Sequence, residues 1–297
     1  MKSTASSSRA AKRRLSPGTF AVYLVLVLAL IPVVFPVYYA FVGSVMGPGD
    51  LASYPPALWP SGLNPFVEGG EPLHPSNFTA VFDSIPLGRQ YLNSAIQAGV
   101  ITLSQLITSI LAAYAFAYLN FWARSATFGL FLATLMVPWE TIIIPNYITI
   151  ADWGLADGVK TYFGLVLPFL ANAFGIFLLR QSFLQFPAEL RDAAVVDGCG
   201  HLRFLWRILV PLSKPAIAAV GVYVFLSAWN QYFWPLLLAG DPKYQTLQIG
   251  ITQLRDAEAA DPGLILAGVT LSLLPTLAIV IFGQRFIVRG LTAGAVR

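Results

Sequence analysis

The polar side chains that could do chemistry in this chain lie inside its longest apolar runs. Asn172, Asn230, Gln231 and Tyr232 offer amides and a phenol, and Glu140 is the only ionisable residue well inside such a run. Amides bond hydroxyl groups, and aromatic faces cover the apolar side of a sugar ring. Because polar residues within a membrane are costly, they tend to face the interior of a helix bundle. We therefore take these five residues as candidates for a solute path.

Several of these residues, and some of their neighbours, also fit structural roles. Glu140 follows Pro138 by two positions. It could act in gating or hydrogen bonding at the cavity, form an ion pair within the bundle, or reach the outer lipid headgroups. Trp229 and Trp234 either stack on a sugar or belong to an aromatic belt at the membrane interface. Hydrogen bonding between helices is the preferred role for the polar side chains of the second apolar run, which are Gln97, Ser104, Gln105 and Thr108.

Catalytic chemistry has few candidate residues in this chain. Cys199 is the single cysteine, and the two histidines, His74 and His201, fall in loops on opposite sides of the membrane in the topology below. A histidine-paired metal site or a catalytic triad is therefore not expected. The sequence also contains no Gly-Lys dipeptide, so it encodes no phosphate-binding loop of the Walker type. We expect a non-catalytic chain without a cofactor, and any nucleotide chemistry must come from another chain.

The elements that position these residues are predicted to be membrane-spanning helices. Hydrophobic residues make up 57% of the 297 residues, charged residues make up 11%, and the mean hydropathy is +0.69. A helix needs about 20 mainly apolar residues to cross the hydrocarbon core, and six runs qualify. They are residues 19–45, 93–119, 128–150, 163–186, 216–238 and 264–286. The predicted fold is an all-α, polytopic integral membrane protein with six transmembrane helices.

Positive charge is distributed unevenly around these runs. If the amino terminus is cytosolic, only Arg89, Lys160, Lys243 and Arg255 of the 18 Lys and Arg residues lie outside. Cytoplasmic loops of membrane proteins carry the excess of Lys and Arg. The pattern therefore predicts that both termini are cytoplasmic, and it accounts for the net charge of +4 without a nucleic-acid partner.

The chain is expected to divide into three segments. Residues 1–17 form a basic cytosolic tail, residues 18–290 the transmembrane domain, and residues 291–297 a cytosolic C-terminal tail. The first run is too long for a signal peptide, whose apolar region has about 7 to 15 residues, so we expect it to be retained as a span. The outer loop, residues 46–92, is rich in Pro and Gly. It predicts little regular structure, and it either receives an external partner or acts as a spacer.

A polar stretch, residues 187–215, separates the fourth and fifth runs, and we call it the elbow. Its pattern predicts two short helices joined at Gly198, with Glu189 and Asp192 near the positive end of the first helix dipole. Pro211 and Pro215 are expected to end the second helix. The apolar face of that second helix is predicted from the spacing i, i+3, i+4, i+7 to comprise Leu202, Leu205, Trp206 and Leu209, with Arg203 and Arg207 on another face.

The elbow resembles a known motif. Asp192-Ala193-Ala194, then Gly198 after three residues, then Ile208-Leu209-Val210-Pro211 after nine more, is similar to the EAA loop of inner-membrane permeases of ATP-binding-cassette (ABC) importers. Asp192 stands where the family usually has Glu, Cys199 where it usually has Ala, and Val210 where it usually has Leu. Residues 229–237 and 284–296 also resemble runs of the carbohydrate branch, of the maltose-permease and glycerol-3-phosphate-permease type.

The resemblance implies a function and a set of partners. The chain would be the permease subunit of an ATP-driven importer of a carbohydrate or related solute, in a bacterial or archaeal plasma (inner) membrane. Its partners would be a second permease forming a heterodimer, two ATPases that bind ATP and Mg, and an extracytoplasmic solute-binding protein. The implied cytoplasmic coupling residues are Glu189, Asp192, Ala193, Ala194, Asp197, Gly198, Arg203 and Arg207. An ion-coupled secondary transporter that works without an ATPase is the alternative.

Overall fold

The computed structural model describes residues 17–256 and 261–292, and within them all regular structure is helical. The α-helices are α1 (Pro17–Gly43), α2 (Pro48–Leu51), α3 (Ser76–Ser84), α4 (Leu87–Tyr118), α5 (Arg124–Thr134), α6 (Trp139–Asp152), α7 (Thr161–Val166), α8 (Ala173–Phe183), α9 (Ala188–Val196), α10 (His201–Phe204), α11 (Val210–Leu212), α12 (Lys214–Trp229), α13 (Phe233–Leu238), α14 (Leu247–Asp256) and α15 (Pro262–Thr292). The all-α prediction is confirmed. Of the predicted tails, residues 1–16 and 293–297 lie outside the described residues.

Three helices are long and apolar enough to cross a membrane unbroken, namely α1, α4 and α15. Three bent helix pairs also meet the test of length and composition: α5 with α6, the segment Gly158–Phe169 with α8, and the segment His201–Leu212 with α12. The six predicted spans correspond to α1, α4, α5 with α6, α7 with α8, α12 with α13, and α15.

Helix α4 lies at the centre of the bundle. It packs against α8 and α12, and α12 packs in turn against α15. The largest buried cluster includes Ala98, Ile101 and Ala113 of α4 with Leu179 of α8 and Val220 of α12. Small residues at such contacts let helix backbones approach closely, which stabilises packing between membrane helices. By contrast, α1 contacts mainly α15, and no residue of its most apolar window is buried.

Three of the spans are interrupted, and each break has a local cause. The third span turns by 94° between α5 and α6. Pro138 precedes α6 there, and the residue before a proline avoids the helical region. The fourth span bends by 49° after Pro168, and the Asn172 side chain accepts a hydrogen bond from Phe174 N (2.7 Å), which caps α8.

The break in the fifth span corrects the prediction of one helix over residues 216–238. Helix α12 ends at Trp229, and α13 begins at Phe233. Pro235 lies inside the first turn of α13 rather than at the break. Because proline has no N–H, it cannot bond the carbonyl of Gln231 four residues earlier, so the helix is interrupted upstream of the proline.

The outer loop is more regular than its composition predicts. It contains α2 and the longer α3, which packs against α15. Val81 of α3 is fully buried, and Asn77 donates to the carbonyls of Ser44 (3.1 Å) and Met46 (3.2 Å). These contacts order the segment, so the prediction of little regular structure was wrong for residues 76–84. The proline residues lie before and after this helix rather than within it.

Candidate functional site

The two helices of the elbow are joined at Gly198, as predicted. Helix α9 ends at Val196, and Gly198 has φ = 70°. Gly198 N donates to Val195 O (3.0 Å), and Cys199 N donates to Ala194 O (2.8 Å). This pair of bonds is a Schellman motif, which satisfies carbonyls at the helix end and needs a residue tolerant of positive φ. The turn between α9 and α10 is therefore fixed by the backbone of Gly198.

The second helix of the elbow differs from the prediction in two respects. Pro211 does not end it, because the helix continues to Leu212 after a π turn at Leu205–Leu209. A π turn before a proline accommodates the missing amide hydrogen. The chain changes direction at Ser213, where an 80° bend precedes α12.

The buried face of this helix is also different. Leu205 and Leu209 are buried as predicted, but Leu202 and Trp206 are exposed, and Phe204 is buried in their place. A π turn contains about one residue more than an α turn, so the phase counted at 3.6 residues per turn is not maintained across it.

The exposed side of α9 carries three of the eight predicted coupling residues. Glu189, Asp192 and Ala193 face solvent, while Ala194 is buried against the rest of the chain. Beside them lies an exposed apolar surface that was not predicted from the sequence. It consists of Val195, Val196, Leu202 and Trp206, of which Val196 is 86% exposed.

A cavity of about 240 Å³ brings four predicted coupling residues together where the two elbow helices meet. Ala194, Asp197, Arg203 and Arg207 line it, with Cys199 and Ile208. The prediction that placed Arg203 and Arg207 on one face therefore agrees with the structure.

The inner face of the elbow is held to α4 by aromatic residues that were not predicted from the sequence. Tyr114 Oη lies 2.8 Å from His201 Nδ1, and the Arg191 guanidinium lies 5.6 Å from the centre of the Tyr118 ring. Phe204 contacts both tyrosine rings. The tyrosines lie four residues apart on one face of α4, which was the available sequence signal. The elbow is thus attached to the carboxyl-terminal end of α4.

The predicted solute-path residues lie at or beside the breaks of the three interrupted spans. Glu140 is in the first turn of α6, Asn172 caps α8, and Asn230, Gln231 and Tyr232 connect α12 to α13. One aromatic cluster joins these breaks, because the Trp139 ring contacts both the Phe169 and the Trp234 rings. Each of the predicted residues lies within four positions of a member of this cluster.

The amides of this region bond to other helices. Gln97 Nε2 of α4 donates to Gln231 Oε1 (2.7 Å), and Gln248 Nε2 of α14 lies 3.5 Å from Asn230 Oδ1. Among the residues that the structure describes, no side chain of Asn172, Asn230, Gln231 or Tyr232 bonds to another of the four. The Asn230 side chain instead faces α14, and the Gln231 side chain faces α4.

The interhelical bonds predicted for α4 are present for three of its four polar residues. Besides Gln97, Gln105 donates to Phe169 O (2.7 Å) and Thr108 to Leu170 O (3.1 Å). Ser104 instead bonds within its own helix. The carbonyls of Phe169 and Leu170 are free to accept because the fourth span is irregular there.

Both tryptophans of the fifth span belong to the core. Trp229 lies between the rings of Tyr91 and Phe225, and Trp234 donates Nε1–H to Gly164 O (3.2 Å). Each is at most 4% exposed. Neither an interface belt nor an exposed sugar platform describes them. Glu140, in contrast, is exposed, and no ion pair involves it within the described part of the chain.

Comparison with solved structures identifies the fold. The chain superimposes on a bacterial ABC transporter involved in the import of the acidic polysaccharide alginate with a TM-score of 0.76, at 22% identity, over 92% of this chain and 99% of that chain. A second structure, of a bacterial alginate ABC transporter in complex with an alginate pentasaccharide-bound periplasmic protein, gives 0.63 at 15% identity, over 90% and 93%.

Sequence comparison is more specific. The chain is 38% identical to the sn-glycerol-3-phosphate transport system permease protein UgpE of Rhizobium meliloti (strain 1021) over 91% of this chain and 94% of the relative. The corresponding proteins of Brucella abortus (strain 2308) and Yersinia pestis bv. Antiqua (strain Antiqua) are 37% and 35% identical over the same shares.

These relatives are transport subunits, which agrees with the expectation of a non-catalytic chain and decides against the secondary transporter. Residues 105–293 match the model of the binding-protein-dependent transport system inner membrane component. The chain therefore belongs to the binding-protein-dependent transport system inner membrane component family and is a permease subunit of an ABC importer.

Proposed function

We propose that this permease carries a small hydroxylated solute and is driven by ATPases that dock on the elbow. The observation that carries the proposal is the exposed helix pair α9 and α10, fixed at Gly198 and packed onto α4. A lever transmits force only if it is stiff and attached, and the Schellman motif and the Phe204 contacts provide these two properties. Glu189, Asp192, Ala193, Val195 and Val196 of α9 are exposed within the described part of the chain.

The docking surface combines charge with apolar area. Glu189 and Asp192 are exposed beside Ala193, which leaves room for a close approach by a partner. The exposed Val195, Val196 and Leu202 supply apolar area that binding would bury. Asp192 takes the position of the family's glutamate, and we infer that its carboxylate forms the salt bridge to the ATPase. Asp197, Gly198, Arg203 and Arg207 complete the coupling set.

Helix α4 is the element that links the elbow to the solute path. It is continuous from Leu87 to Tyr118, about 48 Å long at 1.5 Å per residue. Its inner end contacts the elbow through Tyr114 and Tyr118, and nearer its outer end Gln97 bonds Gln231. Closure of the ATPases on ATP would displace the elbow and, with it, α4, so that the spans switch between inward-open and outward-open arrangements.

The solute path is proposed to lie at the three breaks. Helix termini expose backbone N–H and C=O groups, which bind polar solutes at membrane depth in transporters with broken helices. Glu140, Asn172, Asn230, Gln231 and Tyr232 add side-chain groups to these termini. Gln97 and Gln248 extend the set, because they bond the amides of Gln231 and Asn230 in the present conformation.

The partners follow from the coupling model and from the family. We propose a heterodimer with a second permease, two cytosolic ATPases that bind ATP and Mg, and an extracytoplasmic solute-binding protein. Both termini would be cytoplasmic, with the transmembrane domain at residues 18–290, the elbow in the cytosol and the loop at residues 46–92 outside. The ATP chemistry is assigned to the ATPases, and this chain is proposed to need no cofactor of its own.

Among hydroxylated solutes, sn-glycerol 3-phosphate is the first candidate. The relatives of 35–38% identity are permeases for this compound by their names. The described residues at the breaks include no cation, but Arg89 and Lys243 meet at the outer end of α4, where Arg89 Nε donates to Lys243 O (3.3 Å). Two exposed cations there would favour an anionic solute at the outer mouth. A neutral sugar, oligosaccharide or polyol is the second candidate.

The test is uptake into proteoliposomes that hold the complex as it copurifies from its native membrane, with its binding protein outside and ATP inside. Uptake of radiolabelled sn-glycerol 3-phosphate that requires ATP supports the proposal, and a matched experiment uses a non-hydrolysable ATP analogue. ATP-dependent uptake of a neutral sugar, but not of the phosphate, would retain the coupling mechanism and reject the anionic solute. Uptake driven by an ion gradient without ATP would reject the coupling mechanism.

A further inference from the structure

An apolar segment of the outer loop keeps most of its large side chains exposed within the described part of the chain. Residues 51–67 contain no charged residue and are bracketed by Asp50 and Glu68. Within them Tyr54 is 98% exposed, Leu58 55% and Trp59 50%. Such a concentration of exposed aromatic and aliphatic side chains indicates a surface that binds a membrane or another protein.

The depth of this segment is set by a bond to the first span. Tyr38 Oη donates to Leu58 O (2.8 Å). Residues 15–49 contain no charged residue, and about 20 apolar residues cross the hydrocarbon core, so a span that enters the core near Phe20 brings Tyr38 close to the core's outer border. The loop therefore folds back along α1 to the level of the membrane interface. Tyrosine and tryptophan are the residues enriched at that level.

Three of the six residues 54–59 present no free backbone N–H. Pro55, Pro56 and Pro60 have no N–H to satisfy. Ala57 N donates to Ser53 Oγ (3.0 Å), and Ser53 Oγ–H in turn donates to Asp50 O (2.7 Å). Leu58 O is bonded by Tyr38. Unpaired backbone groups are unfavourable near lipid. Each N–H that is absent or hydrogen-bonded therefore lowers the free-energy cost of contact with the bilayer.

We propose that residues 54–59 form an interfacial anchor that inserts Tyr54, Leu58 and Trp59 into the outer leaflet of the chain's own membrane, beside α1. The anchor fixes the rest of the outer loop relative to the bilayer. It is connected to that loop by side-chain bonds: Asp50 Oδ2 accepts from Ser61 N (2.9 Å), and Glu71 Oε2 accepts from Asp50 N (2.9 Å). The inference rests on α1 crossing the membrane and is independent of the solute and of the coupling mechanism.

The test uses quenching of a single fluorescent label. In a Cys199→Ser background, Leu58→Cys or Tyr54→Cys is labelled with bimane, and the complex is placed in nanodiscs without the binding protein. Quenching is measured with lipids that carry a nitroxide near the headgroup and with aqueous iodide. Two matched exposed positions calibrate the signals: Leu28→Cys at the centre of α1 for lipid, and Glu68→Cys for water.

The proposal predicts that labels at positions 54 and 58 are quenched by the nitroxide lipid at least as strongly as the label at position 28. Their quenching by iodide should be several-fold weaker than that of the label at position 68. Strong iodide quenching without lipid quenching would overturn the proposal, because the segment would then lie in water. Weak quenching by both agents would also overturn it, because a protein surface would then cover the segment.

Discussion

At the scale of single residues, a few polar bonds join the helices of the membrane domain. The bond from Gln97 to Gln231 joins the continuous α4 to the break of the fifth span. Gln97 is buried, with 2% of its surface exposed, so its amide has little access to another partner. A buried amide that loses its partner costs about 1–3 kcal/mol, whereas interhelical bonds in membranes couple by about 0.6 kcal/mol on average.

A double-mutant cycle measures this bond. Gln97→Ala and Gln231→Ala should each destabilise the complex, and together they should cost less than the sum of the single costs by roughly 0.5–2 kcal/mol. Unfolding by a denaturing detergent provides the free energies. As a control, Gln105→Ala with Gln231→Ala should be additive, since Gln105 bonds Phe169 O instead. Additivity of the Gln97 and Gln231 changes would mean that the bond does not contribute.

Phe204 is the residue that attaches the elbow to α4. It is 4% exposed and contacts Tyr114 and Tyr118, and Phe→Ala in a packed core costs about 3–5 kcal/mol. We expect Phe204→Ala to leave the complex assembled but to abolish stimulation of ATP hydrolysis by the loaded binding protein. Phe204→Leu should retain much of the stimulation because it keeps most of the buried volume. Full stimulation in the alanine variant would show that this contact transmits no force.

At the scale of elements, the stiffness of the elbow rests on the turn at Gly198. A residue other than glycine in the left-handed region costs about 1–2 kcal/mol. Gly198→Ala should therefore tilt α9 against α10 and lower ATP-driven uptake, measured in proteoliposomes at equal amounts of complex.

Gly200→Ala is a matched control for this change. Gly200 has φ = −70° and ψ = 163°, which alanine adopts without strain, and at both glycines a Cβ would meet no atom within 4 Å. The control should transport normally. Equal uptake by the two variants would contradict the proposal that the turn sets the geometry of the lever.

A structural feature was predictable from the sequence when neighbouring residues determine it. Gly198 was identified correctly because a glycine after a helical pattern is a direct signal of chain reversal. The prediction of the buried face of the second elbow helix was wrong because a π turn changes the helical phase. No residue within four positions of Leu202 indicates such a turn. The break near Gln231 was missed within the predicted run 216–238, because the missing N–H of Pro235 acts four residues upstream. Gln97 and Gln231 are 134 positions apart in the sequence. The local pattern of a single sequence therefore does not indicate that they are in contact.

At the scale of the whole molecule, hydropathy and charge predicted the number of spans, and the structure adds how they bend. The amount of regular structure in the outer loop was underestimated, because α3 is stabilised by packing on α15 and not by its own helix propensity. The bundle places the elbow at one end of α4 and Arg89 at the other. The two ends are therefore expected on opposite sides of the membrane.

Labelling of single cysteines tests this topology. In a Cys199→Ser background, Glu68→Cys should react with a membrane-impermeant maleimide in cells whose outer barrier is permeable. Leu202→Cys, which is 67% exposed in the structure, should react only after the inner membrane is opened. Reaction of both positions before opening, or the reverse order, would contradict the proposed orientation.

The central claim is that ATPases act on this permease through the elbow, and site-specific photo-cross-linking tests it most directly. Val196 is 86% exposed on α9, so Val196→Cys in the Cys199→Ser background can carry a benzophenone without disturbing the core. We predict that mass spectrometry of the illuminated complex identifies a cytosolic ATPase joined to residue 196, and none joined to Glu68→Cys. A complex that retains its ATPases but shows no cross-link from residue 196 to them would contradict the claim.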